Sequence, residues 1–229
     1  MKALLLNGPG KPFSIETIED PTPQKGYAVA KVLACGSGLT IQHVKAGRIT
    51  VNYPRIIGHE IIGEIVEING HGGDLEIGTP VTAFFYLTCG HCRWCNIDRE
   101  TLCDNFRGYI GREVDGGYAE YIKLPIENFI KIPEEIDYKN NLLETAVVCD
   151  AVATPLKIIK KARISSFDKV GVIGAGGGLG IHMLKMLKLN NISAIGIDTK
   201  TEKFNTCNEN GAEFSVCLLY TSPSPRDNR

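Results

Sequence analysis

The sequence predicts an α/β protein in two parts: a β-rich, barrel-like N-terminal domain with a small metal-binding lobe, then the opening of a doubly wound parallel sheet. Three observations predict it. Cys89, Cys92, Cys95 and Cys103 fall within a run of fifteen residues. Residues 1–130 are short apolar or alternating runs separated by Gly and Pro, as in a compact barrel of short strands. From Lys169 onward, brief apolar runs alternate with helical stretches, with a glycine-rich turn after the first run.

The N-terminal strands are expected at Lys2–Leu6, Phe13–Ile18, Tyr27–Ala34, Ile61–Ile68, Val81–Tyr86 and Gly117–Leu124, with Gly8-Pro9-Gly10 and Pro21-Thr22-Pro23 as breaks. Tyr138–Ala153 reads as helical. Thr154-Pro155 reads as an N-cap with proline at the first helical position, opening a helix over Leu156–Ala162. The domains, 1–150 and 151–216, are expected to join through this helical region.

In the second part, Val170–Ile173 has the composition of a buried parallel strand. The turn Gly174–Gly180 follows, then a helix over Ile181–Leu189, a strand over Ile192–Ile197, a helix over Thr201–Asn210 and a strand beginning at Ala212–Val216. A doubly wound dinucleotide fold uses about six strands, so the authentic protein is expected to extend beyond Val216. The run Cys217–Asp227 reads like a translated sequencing adapter, and 217–229 are expected to lie outside the evolved fold. Composition alone also allows a Ser/Pro-rich disordered tail.

Eight cysteines, a 43% hydrophobic fraction and a net charge of −1 describe the chain. Interspersed charge argues against a nucleic-acid or membrane partner. No apolar run is long enough to span a bilayer, and the N-terminus does not read as a secretory signal. Thiol-rich metal ligation without such a signal points to a cytoplasmic location.

The four-cysteine run, about 86–108, has the spacing to wrap one Zn2+ tetrahedrally. Such a closed thiolate site is structural, having no open position for substrate. In the strand–turn–helix–strand context, the turn and Asp198 point to a dinucleotide. Gly174, Gly177, Leu179 and Gly180 are the candidate pyrophosphate contacts, where close backbone approach and a helix N-terminus favour an anion. Asp198 is placed for the ribose hydroxyls and would repel a 2′-phosphate, favouring NAD over NADP. A tight turn in a βαβ unit without nucleotide is the alternative.

With Gly58-His59-Glu60 before a strand, the Cys89–Cys103 lobe, Asp115–Tyr121 after it and Gly196–Lys203, the chain resembles the medium-chain zinc-dependent alcohol dehydrogenases over residues 1–216. The resemblance implies a GroES-like catalytic domain and a Rossmann domain, NAD(H), dimeric or tetrameric assembly of the full-length protein, and hydride transfer between a small alcohol and its aldehyde or ketone. It places Lys203 at a second ribose contact. It makes His59 and Asp150 ligands of a catalytic zinc with Glu60 beside it, Thr40 the proton-relay hydroxyl and His43 the outer relay histidine. The cysteine expected two residues before that hydroxyl is Gly38, so the usual ligand set cannot form. A His59–Glu60–Asp150 set is one alternative. A zinc-free NAD(P)H reductase of an activated double bond or quinone is another, and an inert zinc-binding fragment a third. Read singly, His59 is equally a core histidine, Glu60 a structural carboxylate, Thr40 a turn hydroxyl and Asp150 a helix cap.

Overall fold

The computed structural model describes residues 1–221, with side chains through 219. It divides into two compact units, Met1–Cys149 and a second from Asp150 onward. Asp150, read from the sequence as the last residue of the first domain, therefore opens the second unit.

The first unit contains β1 (Lys2–Leu6), β2 (Phe13–Thr17), β3 (Tyr27–Cys35), α1 (Leu39–Lys45), β4 (Arg55–Ile56), β5 (Ile61–Asn69), β6 (Pro80–Ala83), β7 (Tyr121–Pro125), β8 (Phe129–Lys131) and α2 (Leu142–Ala146). Two antiparallel sheets result, ordered β2-β1-β4 and β7-β3-β5-β6-β8. Strand β3 is an inner strand, and Ala28 and Ala30 on one of its faces join a core shared with Ile61, Ile65, Val81, Ile122 and Leu124. Gly63 sits where β5 crosses β3 most closely; a Cβ there would lie 2.5 Å from the Lys31 carbonyl oxygen. Short helical turns at Cys95–Ile97 and Glu100–Leu102 form the cysteine lobe.

The second unit begins with a π-helical turn, Val148–Val152, that spans the boundary and runs into α3 (Ala153–Ala162). Then come β9 (Lys169–Ile173), α4 (Gly178–Leu189), β10 (Ser193–Asp198), α5 (Phe204–Glu209), β11 (Phe214–Cys217) and α6 (Leu218–Thr221). The three strands are parallel in the order β11-β10-β9. Gly180, Leu184 and Leu187 line the buried stripe of α4 at helical spacing. They pack on a core that includes Val172, Ala194, Cys207 and Ala212.

Several boundaries differ from the sequence reading. Helix α1 was not expected, because the seven residues of this element lie among strand signals and carry only Ile41 and Val44 as buried anchors. The expected helix over Tyr138–Ala153 is broken into α2 and the π turn. Thr154 is not an N-cap: α3 already begins at Ala153, and the Thr154 hydroxyl donates to Asp150 Oδ1 at 2.8 Å. The strand expected from Gly117 starts only at Tyr121, because Gly117 N–H and Tyr118 N–H are bonded to Gly58 and Ile57 carbonyls. Strand β11 runs through Cys217, the first residue of the segment read as adapter-derived, and Cys217 pairs in register with Asp198. Residues 222–229 of that segment lie outside the described residues. The apolar run of β9 was read as buried on both faces, yet Ile173 is 71% exposed.

Ile65 is fully buried at the centre of the first unit. Ile65→Ala should cost about 2–5 kcal/mol, read as a lower urea midpoint and lost hydrogen-exchange protection in β3 and β5.

Candidate functional site

The cysteine lobe brings four sulfurs together. The Sγ atoms of Cys89, Cys92, Cys95 and Cys103 all lie within 4.8 Å of one another. Individual separations are 3.5 Å for Cys92–Cys95, 3.5 Å for Cys103–Cys89 and 4.0 Å for Cys92–Cys103. A tetrahedron with Zn–S bonds of about 2.3 Å has edges of about 3.8 Å, so the donor set fits Zn2+. Local backbone prepares it: the His91 N–H, chief among several donors, draws the Cys89 thiol down to about 6. Burial and neighbouring thiols push Cys95 up to about 11. Among the described residues this is the one group of three or more His, Cys, Asp or Glu side chains drawn close enough to hold an ion. Trp94, within the lobe, carries the Arg93 guanidinium over its ring at 4.8 Å.

A second polar cluster forms where β3 ends against the start of β5. His59 and Glu60 are buried, at 8% and 4% exposure. The Gly36 N–H donates to the Glu60 carbonyl at 2.7 Å, extending the β3–β5 ladder. The His59 ring lies 5.0 Å from the Phe85 ring, and the Cys149 thiol reaches the His59 carbonyl at 3.7 Å. The Glu60 carboxylate faces the Gly36–Gly38 loop. A Cβ at Gly36 would sit 2.4 Å from Glu60 Oε2 and 2.9 Å from Glu60 Cβ, so a side chain there would displace Glu60; a Cβ at Gly38 would sit at 3.5 Å, an ordinary contact. Gly38 has φ −76°, which any residue adopts. The missing cysteine is thus not excluded by the backbone, and its place borders the Glu60 carboxylate.

Gly38 is the N-cap of α1, and Thr40 and His43 follow on that helix at i and i+3, both half-buried on one side. Tyr118 holds the loop: its hydroxyl donates to the Gly36 carbonyl at 3.3 Å, and its ring fills the space a Gly58 side chain would need. Burial, with the Cys149 and Glu60 charges, keeps the nearby Cys35 a protonated thiol well above the ordinary range. Asp150 lies in the second unit, where its carboxylate accepts the Thr154 hydroxyl; it does not cap α3.

In the second unit the glycine turn and the acid are coupled. Gly174 adopts φ +74°, and its N–H and that of Ala175 donate to the Ile197 carbonyl. A Cβ on Gly180 would lie 2.3 Å from the Gly174 carbonyl oxygen, which fixes the close packing of α4 on the turn. Gly177 is the N-cap of α4, and Leu179 is 50% exposed beside it. Asp198 accepts the Gly176 N–H at 2.9 Å and the Lys200 N–H at 3.0 Å, while Lys203 Nζ donates to the Gly176 carbonyl at 3.0 Å. Burial raises the Asp198 carboxyl, but the Lys200 and Gly176 N–H groups and the Lys203 charge outweigh it and hold the group below its ordinary value. Gly176, absent from the glycine set read from the sequence, is required here because a Cβ would strike Lys203 at 2.4 Å. A spacing rule counts glycines; it does not see a lysine arriving from twenty-seven residues away.

Cys103→Ser should lower bound zinc and release the lobe, seen as faster amide exchange over 89–103. A depressed folded carboxyl contributes stability above its unfolded value, near 3.9, and loses it as pH falls through the folded value. Asp198→Asn should therefore destabilise the second unit at neutral pH, with the difference from the parent chain shrinking as pH falls through the depressed folded value of the carboxyl.

Residues 24–134 match the alcohol dehydrogenase GroES-like domain. An alcohol dehydrogenase from Geobacillus stearothermophilus is 32% identical, the match covering 97% of this chain and 65% of the relative. An acryloyl-coenzyme A reductase from Sulfurisphaera tokodaii is 30% identical over 89% of this chain and 60% of its own length. The solved structure of an alcohol dehydrogenase from Escherichia coli with NADH superimposes with a TM-score of 0.84 at 29% identity, covering 96% of this chain and 63% of that one. The chain thus spans less than two thirds of the length of these relatives. A GroES-like unit with its four-thiol lobe, followed by Rossmann strands, a glycine turn and Asp198, together with these likenesses, makes the chain a member of the medium-chain alcohol dehydrogenase family.

Proposed function

We propose that the protein is an NAD(H)-dependent oxidoreductase that interconverts a small alcohol and its aldehyde or ketone. The observation that carries the proposal is the Glu60 carboxylate turned to the Gly38 position, which supplies an oxygen donor where the family expects a thiolate, with His59 buried next to it in sequence. Among the described residues only the four-thiol lobe is drawn close enough to hold an ion, so a second metal on the set His59, Glu60 and Asp150 rests on the sequence resemblance alone. This is a hard donor set, of the kind seen in hydrolytic zinc centres. When bound, the ion would supply Lewis acidity to the substrate oxygen.

The remaining work falls to the chain. Thr40 would take the alcohol proton, and His43, one helical turn on, would pass it to solvent. Gly174, Gly176, Gly177 and Gly180 let the backbone and the α4 N-terminus approach the pyrophosphate. Asp198, already ionised and fixed by two N–H groups, offers its remaining lone pairs to the ribose hydroxyls, with Lys203 beside it, and so selects NAD. The lobe at Cys89–Cys103 holds a structural zinc.

Gly38 and the likeness to an acryloyl-coenzyme A reductase favour a second reading, the zinc-free reduction of an activated double bond. Metal content decides between them. Two zinc ions per chain are expected, one leaving first to a mild chelator together with activity; a single zinc makes the reductase the correct reading. Gly38→Cys, which the loop accommodates, should slow loss of the labile ion by at least tenfold, since a thiolate is the softer and tighter zinc donor.

A further inference from the structure

Helix α1 ends in a closure that carries chemistry. Arg48 N–H donates to the His43 carbonyl at 2.9 Å and Gly47 N–H to the Val44 carbonyl at 3.0 Å, with Gly47 at φ +73°. This is the 6→1 and 5→2 pattern that folds the second residue past a C-cap back over the third-last helical residue. The turn is held in place from outside: Gly10 N–H donates to the Lys45 carbonyl at 2.6 Å, and a Cβ on Gly47 would strike Pro9 at 2.7 Å. The contact between those two positions is usually apolar. Here it is polar, and Arg48 Nε–H donates to His43 Nδ1 at 2.9 Å.

A guanidinium is always protonated and only donates. His43 Nδ1 must therefore present its lone pair, which leaves the ring proton on Nε2. An imidazolium would set N–H against N–H and one cation against another. We propose that Arg48 is a positioning residue that fixes His43 as the neutral Nε2–H tautomer.

The consequence for proton transfer rests on the reading of His43 as the outer relay histidine. With Nδ1 engaged, a proton leaving Nε2 must be matched by one arriving at Nδ1, and Nδ1 opens only when the exposed Arg48 side chain lets go. Arg48 then sets when the relay conducts. Lys45, the other cation on this helix, is directed to the Phe13 ring at 5.5 Å and does not compete for His43.

The test is a nitrogen-15 experiment on the ring. Scalar coupling across the N–H···N bond should link Arg48 Nε–H to His43 Nδ1, with the ring proton on Nε2. In Arg48→Ala the coupling should vanish and an Nδ1–H population should appear, while the α1 amide shifts show the helix intact. An uncoupled Nδ1, or a tautomer distribution unchanged by Arg48→Ala, overturns the proposal. The relay reading fails separately: His43→Ala with full turnover would remove it and leave the Arg48–His43 lock standing.

Discussion

The pairing of β3 with β5 is the constraint on which the first unit depends. It begins at Tyr27 opposite Asn69 and ends at Cys35 opposite Ile61, burying Ala28, Ala30, Ile61 and Ile65 along the way. The ladder continues one step further, through the Gly36 N–H to the Glu60 carbonyl. That last bond shapes the candidate site. It brings a glycine-rich loop to within contact of a buried carboxylate, and it launches α1, with Thr40 and His43, from the end of the same strand. A shift of one residue in the register would turn every core side chain of β5 outward and part Glu60 from the loop, so core and candidate site share one determinant.

The second unit works on a different principle. Its glycine turn is shaped by what approaches it. Gly180 is required by the Gly174 carbonyl oxygen and Gly176 by Lys203. Asp198 binds the turn through Gly176 before any ligand is present. A carboxylate oriented by two backbone donors needs little reordering to receive a ribose, and a site built in this way loses less entropy on binding. The same bonds link the end of β10 to the start of α4, so the candidate cofactor contacts and the sheet packing share the same residues.

The four-thiol lobe and the candidate catalytic set contrast in how they are encoded. The lobe is local: four thiols lie within fifteen residues, and short turns suffice to converge them. The candidate catalytic set draws on residues far apart in sequence, and its geometry depends on the β3–β5 register. Gly38 shows the difference. Its ordinary φ and the open contact beside it mean that glycine is no requirement there, whereas two residues earlier a Cβ on Gly36 would run into the Glu60 side chain. Identical residue types two positions apart thus serve different ends, and only their neighbours distinguish them.

By itself the sequence determined the two-part architecture, the thiol lobe, the glycine turn with its acid, and the positions of most strands. Each is carried by nearest neighbours in the chain: alternation, spacing, or a turn residue beside a strand. It also placed His59, Glu60, Thr40 and His43 in a pattern, without their surroundings. Tertiary structure decided the rest. It ended α2 early and continued through a π turn into α3, where Asp150 accepts from Thr154 in place of the expected cap. It formed α1 from residues with little helical signal, because Ile41 and Val44 pack against Leu6, Val51 and Ile57. It set Arg48 on His43 and Lys203 on Gly176. These contacts depend on three-dimensional closeness between polar side chains and backbone that no periodicity records, which is why the fold and family were legible in the sequence and these contacts were not.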